Sequence, residues 1–444
     1  MLLAPISMLA LDQVQTVAFA GIVLFVGYGI RRLVPVLARY NIPAPVVGGL
    51  LVAIAITTAR ARGVTLLEFN TGLQSPLMIA FFTSIGFGAS LSLLRVGGPA
   101  VVLFFASSTV MAVAQNAIGA GVALALGQPP LLGVLAGSVT LTGGPATGLA
   151  FAPLFESAGV QGAATIAVAA AMVGIVSGGI VGGPLGTWLI ARRAGGSDRG
   201  QTGVRRGSDR GQTGVRPGSD AGRTSEFGGV PVMQRVATNV AEDHLPEPIP
   251  RAPEGEDVEA YGLLKSLVLI LAAMWAGSWL TVWFASIGLT LPAYIGAMLV
   301  AAALRNADDG ARVIGISQRT IDDLGAAALS LFLVMALMTL RLWDLVGLAL
   351  PLTVMLAVQV LAVAVAAAGP MYWLMGRDYE SAVMSSGFVG FMLGTTANAM
   401  ANMTALVERY GPAPKAFLVV PMVGAFFIDF TNALIITVCL NIWR

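Results

Sequence analysis

Apolar residues run along this chain in long blocks separated by short polar joints. Six blocks lie near 14–30, 43–59, 75–94, 99–126, 131–160 and 163–190, and six more near 262–287, 292–304, 321–340, 345–374, 381–408 and 415–442. Most approach the roughly 20 residues an α-helix needs to cross a hydrocarbon core. The pattern predicts an all-α polytopic membrane protein. Residues 192–260 interrupt it with Gly, Ser, Pro and charge, and GSDRGQTGVR occurs there twice, from Gly196 and from Gly207. Such a stretch buries too little apolar area to offset ordering, so it predicts a flexible linker between a membrane repeat over 1–191 and another over 261–444.

The two halves repeat one another. Ile42-Pro-Ala-Pro-Val-Val-Gly-Gly answers Leu291-Pro-Ala-Tyr-Ile-Gly-Ala-Met, Thr109-Val-Met-Ala-Val-Ala-Gln115 answers Thr353-Val-Met-Leu-Ala-Val-Gln359, and Met172-Val-Gly174 answers Met422-Val-Gly424. The offsets are 249, 244 and 250 residues. If all six blocks of a half crossed, Arg31, Arg32 and Arg39 would lie on the opposite side from the basic linker, against the positive-inside rule. Five crossings plus one re-entrant fifth segment per half put those arginines, Arg95, the linker, Arg305, Arg312, Arg319, Arg377, Arg409 and Lys415 inside. Arg60, Arg62 and Arg341 fall outside. The expectation is therefore two inverted-topology repeats with both termini periplasmic and the linker cytoplasmic.

Composition supports membrane residence and removes several functions. The chain is 56% hydrophobic and 11% charged, with mean hydropathy +0.82, against about 25% charged in soluble domains. One cysteine, Cys439, excludes an intrachain disulfide and a multi-cysteine metal site. One histidine, His244, lies in the polar stretch, which excludes histidine catalysis or metal clusters at membrane depth. The net charge of +2 points to no nucleic-acid partner. The first block runs into Arg31 and Arg32 without a small-residue cleavage site, so no cleavable signal peptide is expected.

The fifth segments carry the chemistry. In the first, Ser138-Val-Thr140-Leu-Thr142-Gly143-Gly144-Pro145-Ala-Thr147-Gly148 cannot remain helical, because mid-helix glycine costs about 1 kcal/mol and proline about 3. In the second, Gly394-Thr395-Thr396-Ala-Asn398 and Asn402 gather polar groups at the centre. Freed backbone groups in lipid must be satisfied by protein, water or a ligand. Paired breaks in two repeats mark a transporter's binding site: half-helix N-termini suit an anion and unwound carbonyls a small cation. Glycines and threonines that merely allow close packing are the alternative. Asp429 lies within apolar sequence with no Lys or Arg at comparable depth, so its natural partner is a cation, an amino group or a proton, with Asn432 on the same helix face. A protonated Asp429 bonding neighbouring backbone is the structural alternative. Gln115 and Gln359 either glue helices or line the path, and gluing is the preferred reading. No nucleophile–base pair or metal cluster lies in the apolar segments, so the chain does not read as an enzyme.

The C-terminal stretch Gly394-Thr-Thr-Ala-Asn-Ala-Met-Ala-Asn-Met-Thr404, Arg409-Tyr-Gly-Pro412, Lys415-Ala-Phe-Leu-Val-Val-Pro421 and Val423-Gly-Ala-Phe-Phe-Ile-Asp429 resembles the bacterial sodium/glutamate symporter family. Pro76-Leu-Met-Ile-Ala-Phe-Phe-Thr-Ser-Ile-Gly86, followed by Leu91-Ser-Leu-Leu94, resembles its first-half signature. The resemblance implies sodium-coupled L-glutamate uptake at the inner membrane with no cofactor. Related citrate-type carriers imply a homodimer and an elevator motion. Thr142, Gly143, Gly144, Thr147, Thr395, Thr396, Asn398, Asn402, Asp429 and Asn432 are then the expected substrate residues. Ser138, Thr140, Gly394, Asn402 and Asp429 are the expected sodium residues. Proline stands at 145 where the family tip carries histidine, which bears on substrate and ion preference. A citrate-like carboxylate is the runner-up cargo, and a passive channel the rival from another class.

Overall fold

The structure is a computed structural model describing residues 9–62, 67–197, 258–287, 291–311, 314–345, 347–424 and 427–443. Of the expected linker, 198–257 lie outside the described residues, His244 among them; the flanking helices continue to Ser197 and begin at Val258. The first half comprises α1 (Gln13–Leu33), α2 (Pro35–Arg39), α3 (Ala44–Ala61), α4 (Gln74–Phe87), α5 (Leu91–Ala125), α6 (Pro130–Val134), α7 (Gly144–Ser157) and α8 (Ala163–Ser197). The second comprises α9 (Val258–Ser286), α10 (Ala293–Ala311), α11 (Gln318–Met338), α12 (Ala349–Ala366), α13 (Tyr372–Leu374), α14 (Tyr379–Leu393), α15 (Thr396–Tyr410), α16 (Pro414–Gly424) and α17 (Phe427–Ile442). A short parallel pair, β1 (Leu9–Leu11) on β2 (Leu67–Phe69), ties the start of α1 to the loop before α4.

Seven helices among the described residues are long and apolar enough to cross a membrane, or eight if α16 and α17, bent by 42°, form one span. Helix ends follow local chemistry. Asp12 and Gln15 form a reciprocal capping box on α1, and the Asp378 carboxylate accepts from Ser381 N at 2.7 Å to start α14. Within α5, Gly98 takes φ +61° just before Pro99, which splits the helix where the sequence begins its fourth apolar block.

The helices sort into two bundles. One holds α1, α3, α4, α9, α10 and α11; the other holds α5 to α8 and α12 to α17. Matching backbone crossings recur in the first bundle. Gly27 of α1 meets the backbone of Ala44 and Gly48 in α3, and Gly277 of α9 meets the backbone of Gly296 and Ala297 in α10. Contacts between the halves are reciprocal too: Gly49 lies against Leu337, and Met298, 249 residues beyond Gly49, lies against Gly86, 251 before Leu337. The seam between bundles is largely apolar: Val46, Phe332 and Leu337 pack on Leu149 and Val168, and Tyr294 stacks on Phe82 while meeting Phe151 edge-on.

Candidate functional site

Both fifth segments are broken at mid-run. In the first, α6 passes into a π-turn at Leu135–Val139, where Gly137 leaves helical geometry, and α7 begins only at Gly144. Gly144 adopts φ +69°, a conformation that favours glycine, and Pro145 follows where its missing N–H costs nothing. In the second, α14 ends at Leu393 and α15 restarts at Thr396, with Gly394 outside helical geometry and Thr395 extended between them.

The second segment folds back on itself: Asn402 Nδ2 reaches Ser386 O at 3.5 Å, Gly387 lies on Met403, and Gly390 on the Asn398–Ala399 backbone. The first folds more loosely, with contacts near its tip at Gly143–Thr147 and Thr140–Gly148. The tips meet. A Cβ at Gly144 would lie 3.3 Å from Thr395 Cγ2 and 3.5 Å from Gly394 O.

A glycine seam on α8 receives the second hairpin. Gly174, Gly178, Gly182 and Gly186, one per turn, face Leu393, Asn398, Asn402 and Leu406. Their missing side chains expose α8 carbonyls: Asn398 Nδ2 donates to Ile175 O at 2.7 Å, Asn402 Nδ2 to Gly178 O at 3.0 Å and Ser386 Oγ to Gly182 O at 2.8 Å. Asn398 Oδ1 also accepts from Asn41 Nδ2 at 3.2 Å, a polar contact across the bundle seam. Both ends of the Asn398 amide are therefore engaged within the protein.

The glutamines act as glue. Gln115 Nε2 donates to Met392 O at 2.9 Å, Gln359 Nε2 to Gln115 O at 2.6 Å, and Thr142 Oγ1 to Gln115 Oε1 at 2.6 Å. This cluster is fully buried and fixes one expected substrate residue, Thr142, against the opposite half.

The remaining expected residues divide. Thr147 is buried, and Thr395 and Thr396 are half-buried at the tip, where Thr396 Oγ1 reaches Gly424 O at 3.4 Å. Thr140 Oγ1 turns back to Leu135 O at 2.8 Å. Ser138 lies in the π-turn, and Asn432 Nδ2 donates to its carbonyl at 3.0 Å. Asp429 lies on α17, three residues before Asn432. Two residues were passed over in the sequence. Asn116 Oδ1 accepts from Ser138 N at 3.0 Å, and Tyr294, 1% exposed, holds a hydroxyl with no partner among the described residues. Tyr294 stands where the first repeat has Pro45, the one sequence signal that singles it out.

The sodium/glutamate symporter family model matches residues 9–212 and 233–412. The chain is 37% identical to the sodium/glutamate symporter of Haemophilus influenzae over 96% of both chains, and 37% identical to that of Escherichia coli over 97% of both. The chain belongs to the sodium/glutamate symporter family. As a family member it is a multi-pass membrane protein of a transporter class, and the match spans both halves. The solved sodium proton antiporter MjNhaP1 from Methanocaldococcus jannaschii aligns over 97% of this chain and 94% of that one, at TM-score 0.39 and 15% identity, too distant to carry a conclusion.

Proposed function

We propose that this chain is a sodium-coupled symporter that takes up L-glutamate across a bacterial inner membrane by alternating access. The observation that carries the reading is the tip-to-tip meeting of two broken segments at Gly144 and Thr395, in a chain of this family and in the same bundle as a carboxylate at membrane depth. The backbone freed at Thr140–Gly144 and Gly394–Thr396 provides amides for the substrate carboxylates, and Asp429 provides the negative charge for the amino group or the ion. Coupling sodium is the only inorganic ligand required, and no catalytic step is involved.

The fine architecture belongs to the same proposal. The halves are inverted repeats of five crossings and one re-entrant hairpin, supported by the reciprocal Gly49–Leu337 and Met298–Gly86 contacts. The termini lie in the periplasm and the linker in the cytoplasm, following the arginines. The bundle of α5 to α8 and α12 to α17 carries the site and slides as an elevator against the other, supported by the mainly apolar seam between them. A homodimer anchors the stationary bundle.

A substrate-competition panel in sodium and sodium-free buffer tests the reading. Unlabelled L-glutamate is expected to block labelled uptake in sodium. Competition by citrate and other carboxylates without an amino group, and none by amino acids, would replace glutamate with the runner-up cargo.

A further inference from the structure

Among the described residues the chain passes from the first bundle to the second at two places, from α4 to α5 and from α11 to α12. The first crossing, residues 88–90, is buried, with Ala89 3% and Ser90 2% exposed. A serine just before a helix ordinarily turns its hydroxyl onto the N–H groups of the first turn. Ser90 holds that position on α5 and makes no such bond. Its Oγ donates instead to Asp309 Oδ2 of α10 at 2.5 Å. The cap comes from α10 as well: Asn306 Oδ1 accepts from Leu91 N at 2.8 Å, and Asn306 Nδ2 donates to Ala89 O at 2.7 Å and to Ala302 O at 2.8 Å. Ala302, Asn306 and Asp309 follow one another at helical spacing, and Ala89 packs in one cluster with Met298 and Ala302.

Asp309 is braced in turn. Arg305 Nε lies 3.0 Å from Asp309 Oδ1, Arg305 also donates to Gln318 Oε1 at 3.1 Å, and Gln318 Nε2 donates to Asp322 Oδ1 at 2.8 Å, which ties the contact into α11. The other crossing is held from the matching place. Arg60, 249 residues before Asp309 and in the last turn of α3, lies 5.0 Å over the ring of Trp343, between α11 and α12. Each half thus reaches from the end of one first-bundle helix onto the crossing of the other half. The freedom lies further along α5. Gly98 takes φ +61° ahead of Pro99, which lacks a helical N–H, and a Cβ at Gly98 would meet nothing within 4 Å. Residues 91–97, about 10 Å of helix, separate this break from the bonds to α10.

We propose that Asn306 and Asp309 are positioning residues that clamp the 88–90 crossing to the first bundle, so that the crossing stays still during transport and the second bundle turns about Gly98. The inference rests on the elevator reading above. It divides α5 between the two bundles: its first turns stay with α10, and the span beyond Pro99 travels.

The test uses the full-length protein in proteoliposomes, with Cys439→Ser removing its one cysteine. Two cysteine pairs are bridged by a short thiol cross-linker: Ser90→Cys with Asp309→Cys at the clamp, and Tyr40→Cys with Gly179→Cys across the seam, where a Cβ at 179 would lie 3.9 Å from Tyr40 Cδ1. Both pairs are expected to bridge. The clamp pair is expected to take up glutamate at least as fast bridged as unbridged, because the bridge restores a contact that never opens. The seam pair is expected to stop when bridged. Asn306→Ala is expected to slow turnover about tenfold, the value of a hydrogen bond, while binding of labelled glutamate in sodium stays at the wild-type level. A clamp pair that fails to bridge, or that slows when bridged, overturns the clamp, as does wild-type turnover in Asn306→Ala. If the seam bridge still stops uptake in that case, the elevator reading stands and only the fixed point is wrong. Undiminished uptake with the seam bridged defeats the elevator reading, and the clamp falls with it.

Discussion

The Tyr294 ring is wedged between Phe82 and Phe151 at the seam between the two bundles, and its hydroxyl has no hydrogen-bond partner among the described residues. The ring cannot swing away to find one: its centroid stacks 3.9 Å from that of Phe82, with Phe151 at 6.1 Å edge-on. Met298, one turn on, packs in one cluster with Phe427 and Phe430, which flank Asp429. Tyr294 thus presents a fixed, unpartnered hydroxyl of the first bundle at the seam with the second.

Tyr294→Phe therefore removes a hydroxyl with no partner among the described residues, placed to meet a transported ligand, and no packing. Transport kinetics are expected to show glutamate or sodium affinity reduced about tenfold or more, the value of a hydrogen bond to a charged partner, with expression and Tm unchanged. Wild-type kinetics would reduce Tyr294 to a core aromatic.

The α8 seam makes a stability prediction. A Cβ at Gly174 would strike the Leu393 backbone carbonyl, and one at Gly186 would lie 2.9 Å from Ser386 Cβ. Gly174→Ala is expected to cost about 1–3 kcal/mol by overpacking, read as a lower Tm. At Gly21, where a Cβ would meet nothing within 4 Å, the same change is expected to leave Tm unchanged or slightly raised.

The glutamine clasp predicts an order of severity. Gln115→Leu strips partners from both Met392 O and Thr142 Oγ1, whereas Gln359→Leu strips one, Gln115 O, and also deletes a Gln359 Oε1 that has no partner among the described residues. At about 1–3 kcal/mol per unmet buried group, the Gln115 variant is expected to unfold at the lower temperature. Equal Tm values would contradict the clasp.

Asp308, past the apolar run 292–304, sets a pH dependence. Burial pushes its carboxyl up, but N–H bonds from Ile316, Ile314 and Gly315 at 2.9, 2.7 and 3.1 Å, together with Arg305, hold it below the ordinary value. A carboxyl depressed in the fold stabilises fully above its unfolded pKa, and that contribution disappears as pH falls through the folded value. Wild type is expected to exceed Asp308→Asn in Tm at neutral pH, with the gap closing in acid. A gap independent of pH would show that the charge is not what matters.

Much of this was legible before any coordinates. Gly143-Gly144-Pro145 announces its break because proline lacks the N–H a helix needs. The 42° bend between α16 and α17 was hidden: only Pro421 and Gly424 mark otherwise apolar sequence there, and a single glycine is no signature. Asn398 and Asn402 stood out for polarity, yet polarity does not say where an amide points, and α8 carbonyls engage both. Asn116 was masked by its neighbour Gln115. Tyr294 was passed over, because the bareness of a hydroxyl is a property of packing rather than of sequence.

The central claim is coupling, and uphill uptake tests it most directly. Proteoliposomes holding the wild-type protein, given an inward sodium gradient and labelled L-glutamate, are expected to accumulate glutamate above its outside concentration. They are expected to lose it when the gradient is collapsed, and Asp429→Asn, folded to the same Tm, is expected to accumulate none. Glutamate that only equilibrates, with or without sodium, would contradict the account.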